Sequence, residues 1–217
     1  MKNNTKIKNF FLILLSLIVI LSTILIFCYY IYFYPKTETK SIDSKITLTS
    51  SDIGLKFIPK DFKFSLNEIS VESKTEFTEE ELTDIFIKAM KEIPETKEYL
   101  NGLSVKISKD LITIYFSGKY NGIPVGGDLS FTAYNKEGKG IFHYEEGKIG
   151  FFSIPKEMLF KNLEDNLFFQ FNKDSGDIIL SFPALNQLQV TKVDTKDKIL
   201  EIDFKGLLSL KKGLLQK

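Results

Sequence analysis

The sequence predicts an α+β protein: an N-terminal transmembrane helix, then one domain with a curved antiparallel sheet packed on one long and one shorter helix. Three observations predict this fold class. Residues 10–34 form a run of 25 residues without a charged side chain. A capped amphipathic helix pattern begins at Thr78. Most of the chain after that helix alternates β-branched or aromatic segments with turn residues.

The composition is that of a folded protein with few options for chemistry. The chain has 217 residues, of which 43% are hydrophobic and 26% are charged. All 29 basic residues are lysine, and 28 acidic residues leave a net charge of +1, so we expect no nucleic-acid partner. The single cysteine excludes an internal disulfide and a thiolate-rich zinc site. We expect no metal and no cofactor.

The apolar run 10–34 is long enough to cross a membrane. As a helix it reaches ~37 Å, against ~30 Å for the hydrocarbon core of a bilayer. Its tyrosines crowd the C-terminal end, where amphipathic rings favour the headgroup region, and Pro35 follows directly. A cleaved signal peptide is the alternative, but such a peptide has a shorter apolar core and small residues before its cleavage site. Bulky aromatic residues occupy that place here.

The flanking charges predict the orientation and the domain limits. Lys2, Lys6 and Lys8 precede the span without an acidic residue among them, which favours a cytoplasmic N-terminus in the cell membrane. Residues 1–9 are then a cytoplasmic tail and residues 10–34 the transmembrane helix. The polar stretch 35–52 is expected to be a tether, and residues 53–217 form one extracytoplasmic domain.

The long helix is expected over residues 78–93. Thr78 and Glu81 form a capping box, in which each side chain bonds the backbone amide of the other residue. The apolar residues recur every three or four positions and form one stripe that should pack on the sheet: Leu82, Ile85, Phe86, Ala89, Met90 and Ile93. Pro94 ends the helix.

The strands follow as a series of hairpins, with the shorter helix between them. Asn121-Gly122 is a strong two-residue hairpin motif, and further turns are expected at 135–138, 173–176 and 194–197. The expected strands cover 103–107, 111–120, 123–134, 141–144, 149–152, 167–171, 177–182, 188–193 and 199–204. The shorter helix begins near Pro155, and its buried face is expected to hold Met158, Leu159 and Leu163.

This order of elements resembles the YpmS-like family of single-pass envelope proteins of Gram-positive bacteria. The resemblance covers about residues 66–205. It rests on the capped start at 78–82, the passage Gly147–Pro155 into a helix, the strand with Pro183, and the last hairpin from Leu188. Such proteins are similar to tubular lipid-binding domains, so the resemblance implies a curved sheet around a long helix with an apolar groove. It implies no catalytic residues.

The residues themselves give no catalytic constellation. His143 is the only histidine, and its spacing provides neither a nucleophile nor an acidic partner. Glu145 and Glu146 are adjacent on a strand and should point to opposite faces. Four glycines lie between strands rather than before a helix, so they suit a hairpin and a bulge better than a phosphate site, namely Gly118, Gly122, Gly126 and Gly127. We therefore expect a protein that is not an enzyme.

Two functions remain open at this stage. The first is binding or shuttling of a lipid or a lipid-linked envelope precursor by a membrane-anchored domain. The lipid would contact the apolar face of the long helix and inward-facing strand residues, namely Leu82, Ile85, Phe86, Ala89, Met90, Ile114, Phe116, Phe131 and Phe151. The alternative is a protein-interaction module of a cell-envelope or sporulation complex, in which the same side chains form an ordinary core.

Overall fold

A computed structural model describes residues 3–46, 48–49, 52, 55–56, 61–64, 68–91, 99–165, 169–180 and 188–209. It confirms the mixed α+β class, with an N-terminal apolar helix and a curved antiparallel sheet accompanied by helices. The helices that are described from end to end are α1 (Asn3–Tyr32), α2 (Glu79–Lys91) and α3 (Lys156–Phe160). The predictions for Ile93, for the strand with Pro183 and for the end of the chain beyond 209 lie outside the described residues.

The described strands divide into two antiparallel sheets. The larger has the order β1-β4-β5-β6-β7-β10-β9, with β8 also paired to β7, and the smaller has the order β11-β12-β3-β2. In chain order the strands are β1 (Lys40–Ser41), β2 (Asp61–Phe64), β3 (Glu68–Thr78), β4 (Leu100–Ser108), β5 (Leu111–Tyr120), β6 (Ile123–Lys136), β7 (Lys139–Ile149), β8 (Phe152–Ser153), β9 (Phe169–Asn172), β10 (Asp177–Leu180), β11 (Leu188–Lys196) and β12 (Ile199–Ser209).

The last hairpin of the smaller sheet was predicted, but β2 and β3 were not, and β3 carries few apolar residues. β3 pairs with β12 over eleven residue pairs, from Thr78 opposite Ile199 to Glu68 opposite Ser209. Its Lys74 and Glu76 are exposed, whereas Ser73, Thr75 and Phe77 face inward, where all three are buried. Two of these three inward side chains are polar, so the alternation that marks a half-buried strand is weak in the sequence.

The hairpin turns agree with the predictions, with small shifts. Asn121 and Gly122 both have positive φ, at 49° and 81°, as the two-residue turn requires. The next turn narrows to Glu137-Gly138 and the last moves to Asp197-Lys198. Strands therefore extend further into the predicted turns than expected.

The core lies between the two sheets and α2. Buried side chains of β3, β11 and β12 and those of β4, β5 and β6 belong to one apolar cluster, which includes Phe77, Leu103, Val105, Ile107, Ile112, Ile114, Phe131, Val190, Leu200, Ile202 and Phe204. Phe160 of α3 closes the cluster at the β7 side, with its ring 6.3 Å from that of Tyr144. The shorter helix buries Phe160 and leaves Met158 69% exposed, so the prediction that Met158 lies on its buried face was wrong.

The capping box of α2 is confirmed, but the helix is rotated relative to the predicted stripe. The Thr78 amide donates to Glu81 Oε2 at 3.0 Å, and the Glu81 amide donates to Thr78 Oγ1 at 3.2 Å. The most deeply buried residue of the helix is Ile87, at 0% exposure, whereas Ala89 of the predicted stripe is exposed. Ile85 of that stripe is only half-buried.

Polar contacts to the sheet edge explain the rotation. Thr83 Oγ1 accepts a hydrogen bond from the Val105 amide at 2.9 Å, and Glu79 Oε1 accepts one from the Ile107 amide at 2.9 Å. Both amides lie on the edge of β4 that faces away from β5, beyond the two residues paired with β1. Since unpaired edge amides are costly when buried, α2 turns its polar side chains toward them.

A buried carboxylate on the smaller sheet gives a pH-dependent prediction. Glu201 is paired with Lys74 and accepts a hydrogen bond from Lys192 at 2.9 Å, and these contacts hold its pKa below its usual range. Its ionised form therefore stabilises the fold above the pKa of the unfolded chain, near 4.3, and this contribution is lost as the pH falls through the folded value.

We expect Glu201→Gln to unfold more readily than the wild type at pH 7, with the difference shrinking below about pH 4.3. Denaturant unfolding of the full chain in detergent at several pH values measures this. Glu164→Gln, at an exposed position, is the control. A difference that is the same at acid and neutral pH would contradict the assignment.

Candidate functional site

The predicted lipid-contacting residues separate into two places. Leu82, Ile114 and Phe131 are buried in the core cluster, at 8%, 6% and 5% exposure. Three more pack against that cluster while half-buried, namely Ile85, Phe86 and Met90. Ala89 is exposed on the helix. The structure therefore does not bring the nine residues to one surface.

Phe151 lies elsewhere, where α1 reaches the sheet, and Phe116 is half-buried between the core cluster and this region. The Phe151 ring is 5.1 Å from the ring of Phe33 and 5.7 Å from that of Tyr32. We call α1 together with the residues that directly follow it, up to Pro35, the anchor. Phe152 adds a third ring contact to it, with its ring 5.9 Å from that of Phe33. The Phe151 side chain is nevertheless 59% exposed.

α1 ends directly on the larger sheet. The apolar part of this helix, Ile7–Tyr32, is long and apolar enough to cross a membrane, and no residue of its most apolar stretch is buried in the protein. Near its end the Tyr29 hydroxyl donates to the Pro124 carbonyl at 2.8 Å. One turn later the Phe33 carbonyl accepts a hydrogen bond from the Gly126 amide, also at 2.8 Å.

Two glycines allow this close approach. A Cβ on Gly126 would lie 2.8 Å from Pro35 Cα, and a Cβ on Gly150 would lie 2.5 Å from Phe33 Cε1. Both distances are shorter than real Cβ contacts, so a larger residue at either place displaces the anchor. Gly126 pairs regularly with Ser117 in the ladder, and the bulge of the β6–β7 pair lies further on, in β7 opposite Ser130 and Phe131. Of the four glycines expected at a hairpin and a bulge, Gly122 lies in the hairpin turn, and Gly118 lies at the register shift between Leu100 and Gly102 of β4.

The chain after the anchor stays on the sheet, although a polar tether was expected over 35–52. Lys40 and Ser41 form β1 and pair with Leu103 and Gly102 of β4. Ile42 is buried, at 4% exposure. This part of the segment is therefore a sheet strand, not a free linker.

Side-chain bonds reinforce that strand on both sides. The hydroxyls of Thr39 and Ser117 lie 2.7 Å apart. Lys40 forms an ion pair with Asp84 of α2 at 2.5 Å, so the segment is also fixed to the long helix. Lys91, at the end of that helix, donates to the Ser44 carbonyl at 2.9 Å.

A cleft of about 280 Å³ opens between the anchor end and the sheet, and we call it the anchor cleft. It is lined on the anchor side by Ile31, Tyr32, Tyr34, Pro35, Lys36 and Thr37, and on the sheet side by Tyr115, Phe116, Gly126, Gly127, Asp128 and Gly150. Phe116 is thus the one predicted lipid-contacting residue that lines this cleft.

The cleft combines aromatic surface with two ionisable groups. Tyr115 and Asp128 are cross-strand partners on β5 and β6. Burial raises the pKa of the Asp128 carboxyl; Lys148 opposes the increase and Glu146 adds to it. A carboxyl with a raised pKa is more readily protonated and can then donate a hydrogen bond. Lys36 is exposed on the opposite wall.

The sequence did not indicate this cleft, because its walls lie about ninety residues apart in the chain. The available signals were the tyrosine-rich end of the apolar run and the glycine pair Gly126-Gly127. Each has an ordinary explanation alone, as an interface belt or as a turn. Only the folded structure brings the tyrosine-rich end and the glycine pair together into one cleft.

His143 makes a structural contact. Its Nδ1 lies 2.6 Å from Asp177 Oδ1, and the Ser175 hydroxyl donates to Asp177 Oδ2 at 2.6 Å. The carboxylate separates the hydroxyl from the ring, whereas serine activation needs the ring in the middle. The three residues therefore support the β7–β10 pair, and Asp177 is an acidic partner that the spacing in the sequence did not indicate.

Glu145 and Glu146 share a surface, contrary to the expectation of opposite faces. The β6–β7 bulge places Glu146 opposite Ser130 and Tyr144 opposite Phe131, which leaves Glu145 as the extra residue. Both glutamates line one shallow depression, where Glu145 accepts a hydrogen bond from the Thr132 hydroxyl at 2.8 Å. Within the described part of the chain, no group of three or more His, Cys, Asp or Glu side chains is arranged to hold a metal ion.

Comparisons of the chain with protein-family models, with curated proteins and with solved structures give no match. The resemblance to YpmS-like proteins therefore remains a prediction from the sequence motifs.

Proposed function

We propose that this chain is a single-pass membrane protein whose folded domain lies outside the cytoplasm and binds a lipid or a lipid-linked envelope precursor without catalysis. The observation that carries the proposal is the anchor cleft. Its walls include the residues that leave the membrane-spanning helix, so it opens at the depth of the lipid headgroups. The orientation follows from Lys2, Lys6 and Lys8 before the helix.

The lining of the cleft suits an amphiphile. The rings of Tyr32, Tyr115 and Phe116 offer surface to apolar groups. Lys36 supplies a positive charge for a phosphate. A ligand that enters from the bilayer meets these groups without leaving the membrane surface.

The protein-interaction alternative is supported by a different observation. A groove between α2 and the sheet would need unfilled space beside Leu82, Ile114 and Phe131. These side chains are buried in the core instead. If the anchor cleft takes no lipid, the packed core leaves a protein-interaction module as the better account.

Photocrosslinking from the cleft distinguishes lipid binding from the protein-interaction alternative. The full chain, with a benzoylphenylalanine in place of Tyr115, is irradiated in native membranes and purified. Mass spectrometry then identifies its adducts. We expect adducts of one lipid class, enriched over its share of the membrane. Tyr134, exposed at the far end of β6, is the control position and should give no lipid adduct.

Lys36→Glu should reduce the Tyr115 adduct if Lys36 holds a phosphate. Adducts to proteins only, or lipid adducts that mirror the bulk membrane, would contradict the proposal.

A further inference from the structure

The β5–β6 hairpin runs beside the anchor in a fixed direction. Tyr29 contacts Pro124 and Phe33 contacts Gly126, so residue numbers rise together along the helix and the strand. The start of β6 therefore runs in the same general direction as the end of the helix. Residues before Pro124 consequently extend back along α1, toward its membrane-spanning part.

The tip of this hairpin reaches the depth of the bilayer. At about 3.3 Å per residue, Gly122 lies ~7 Å beyond Pro124 in that direction. This is more than one turn of helix, at 5.4 Å per turn, so by this direction the tip extends past the depth of Tyr29 toward the apolar part of the anchor.

The tip has the composition of an interfacial anchor. Tyr120 is 66% exposed and Ile123 is 53% exposed. They flank the Asn121-Gly122 turn, and a Cβ on Gly122 would meet no atom within 4 Å. Lys119 is exposed and pairs with Pro124. From this position its long side chain can place the ammonium group among the lipid phosphates.

A second exposed pair lies on the same side of the domain. Phe151 and Phe152 are 59% and 60% exposed, and both contact Phe33 at the end of the anchor. Large exposed aromatic side chains are unfavourable in water but favourable at a membrane interface. The bilayer is the partner that covers Phe151 and Phe152, because it must surround the helix whose end they contact.

We propose that four side chains insert into the membrane leaflet on the side of the domain, namely those of Tyr120, Ile123, Phe151 and Phe152. The protein then binds the bilayer through the β5–β6 tip and this aromatic pair as well as through its helix. The four residues then fix the domain against the membrane surface in one orientation. This inference does not depend on what the anchor cleft binds.

The chain contains no tryptophan, which allows a direct test. Ile123→Trp and Phe152→Trp each introduce a single reporter at an exposed position, and Tyr134→Trp, at the far end of β6, is the matched control. Each full-length variant is reconstituted into phosphatidylcholine–phosphatidylglycerol vesicles with and without brominated acyl chains.

We expect brominated lipid to quench the reporters at 123 and 152 and to leave the one at 134 unchanged, while aqueous iodide shows the reverse order. Equal bromolipid quenching at 123 and 134 would overturn the inference for the tip, and equal quenching at 152 and 134 would overturn it for the aromatic pair. Protection from iodide without bromolipid quenching would also overturn it, because it would assign the surface to a protein partner or a second copy. Far-UV circular dichroism establishes that each variant is folded.

Discussion

Ile87→Ala is expected to lower the free energy of unfolding by about 2–5 kcal/mol, the range for truncating a fully buried aliphatic side chain. Ile87 has no exposed surface and lies in α2 against the sheet. Removing its outer carbons takes apolar surface out of the core and leaves a cavity that the two rigid sheets cannot fill.

Ile85→Ala is the matched control, with the same chemical change on the same helix. Ile85 is only half-buried, so its truncation should cost clearly less. Denaturant unfolding of the full chain in detergent compares the two. An equal or larger loss of unfolding free energy in Ile85→Ala would mean that the helix packs the predicted apolar stripe against the sheet.

Gly150→Ala is expected to release the anchor end from the sheet. Gly150 has φ of 64°, where an L side chain costs about 1–2 kcal/mol, and its new Cβ would lie 2.5 Å from Phe33. The ring cannot stay in place, so the contacts from Phe33 to Phe151 and Phe152 should be lost together.

Gly122→Ala separates the clash from the backbone strain. Gly122 has φ of 81° but no atom within 4 Å of the added Cβ, so only the strain applies. Limited trypsin digestion of the full chain in vesicles measures the release, because Lys36 and Lys40 lie in the segment that follows the anchor. We expect faster cleavage there in Gly150→Ala than in Gly122→Ala. Equal rates in the two variants would show that Gly150 does not hold the anchor.

The sequence predicted well those elements whose cause is local. The Thr78–Glu81 capping box and the Asn121-Gly122 turn are short patterns with one physical explanation, and both are confirmed. The 25-residue apolar run is likewise a property of consecutive residues, and it forms a helix.

The elements that were missed depend on partners distant in the chain. The helix face turned because Thr83 and Glu79 bond to amides of β4, which an amphipathic stripe cannot indicate. β1 was taken for a tether because Lys40-Ser41 is polar, and its place on the sheet comes from pairing with Leu103 and Gly102. The anchor cleft was missed for the same reason, since it exists only where α1 contacts β6.

The central claim is that the membrane anchor is docked on the sheet and continues into it without a free linker. Distances between two spin labels in the full chain test it most directly, with labels at Glu38→Cys after the anchor and Lys136→Cys at the far end of β6, in a Cys28→Ser background. Both labelled positions are exposed. In lipid nanodiscs the account predicts a single narrow distance distribution, because β1 fixes the segment on β4. A broad distribution, as a flexible tether over 35–52 would give, would contradict it.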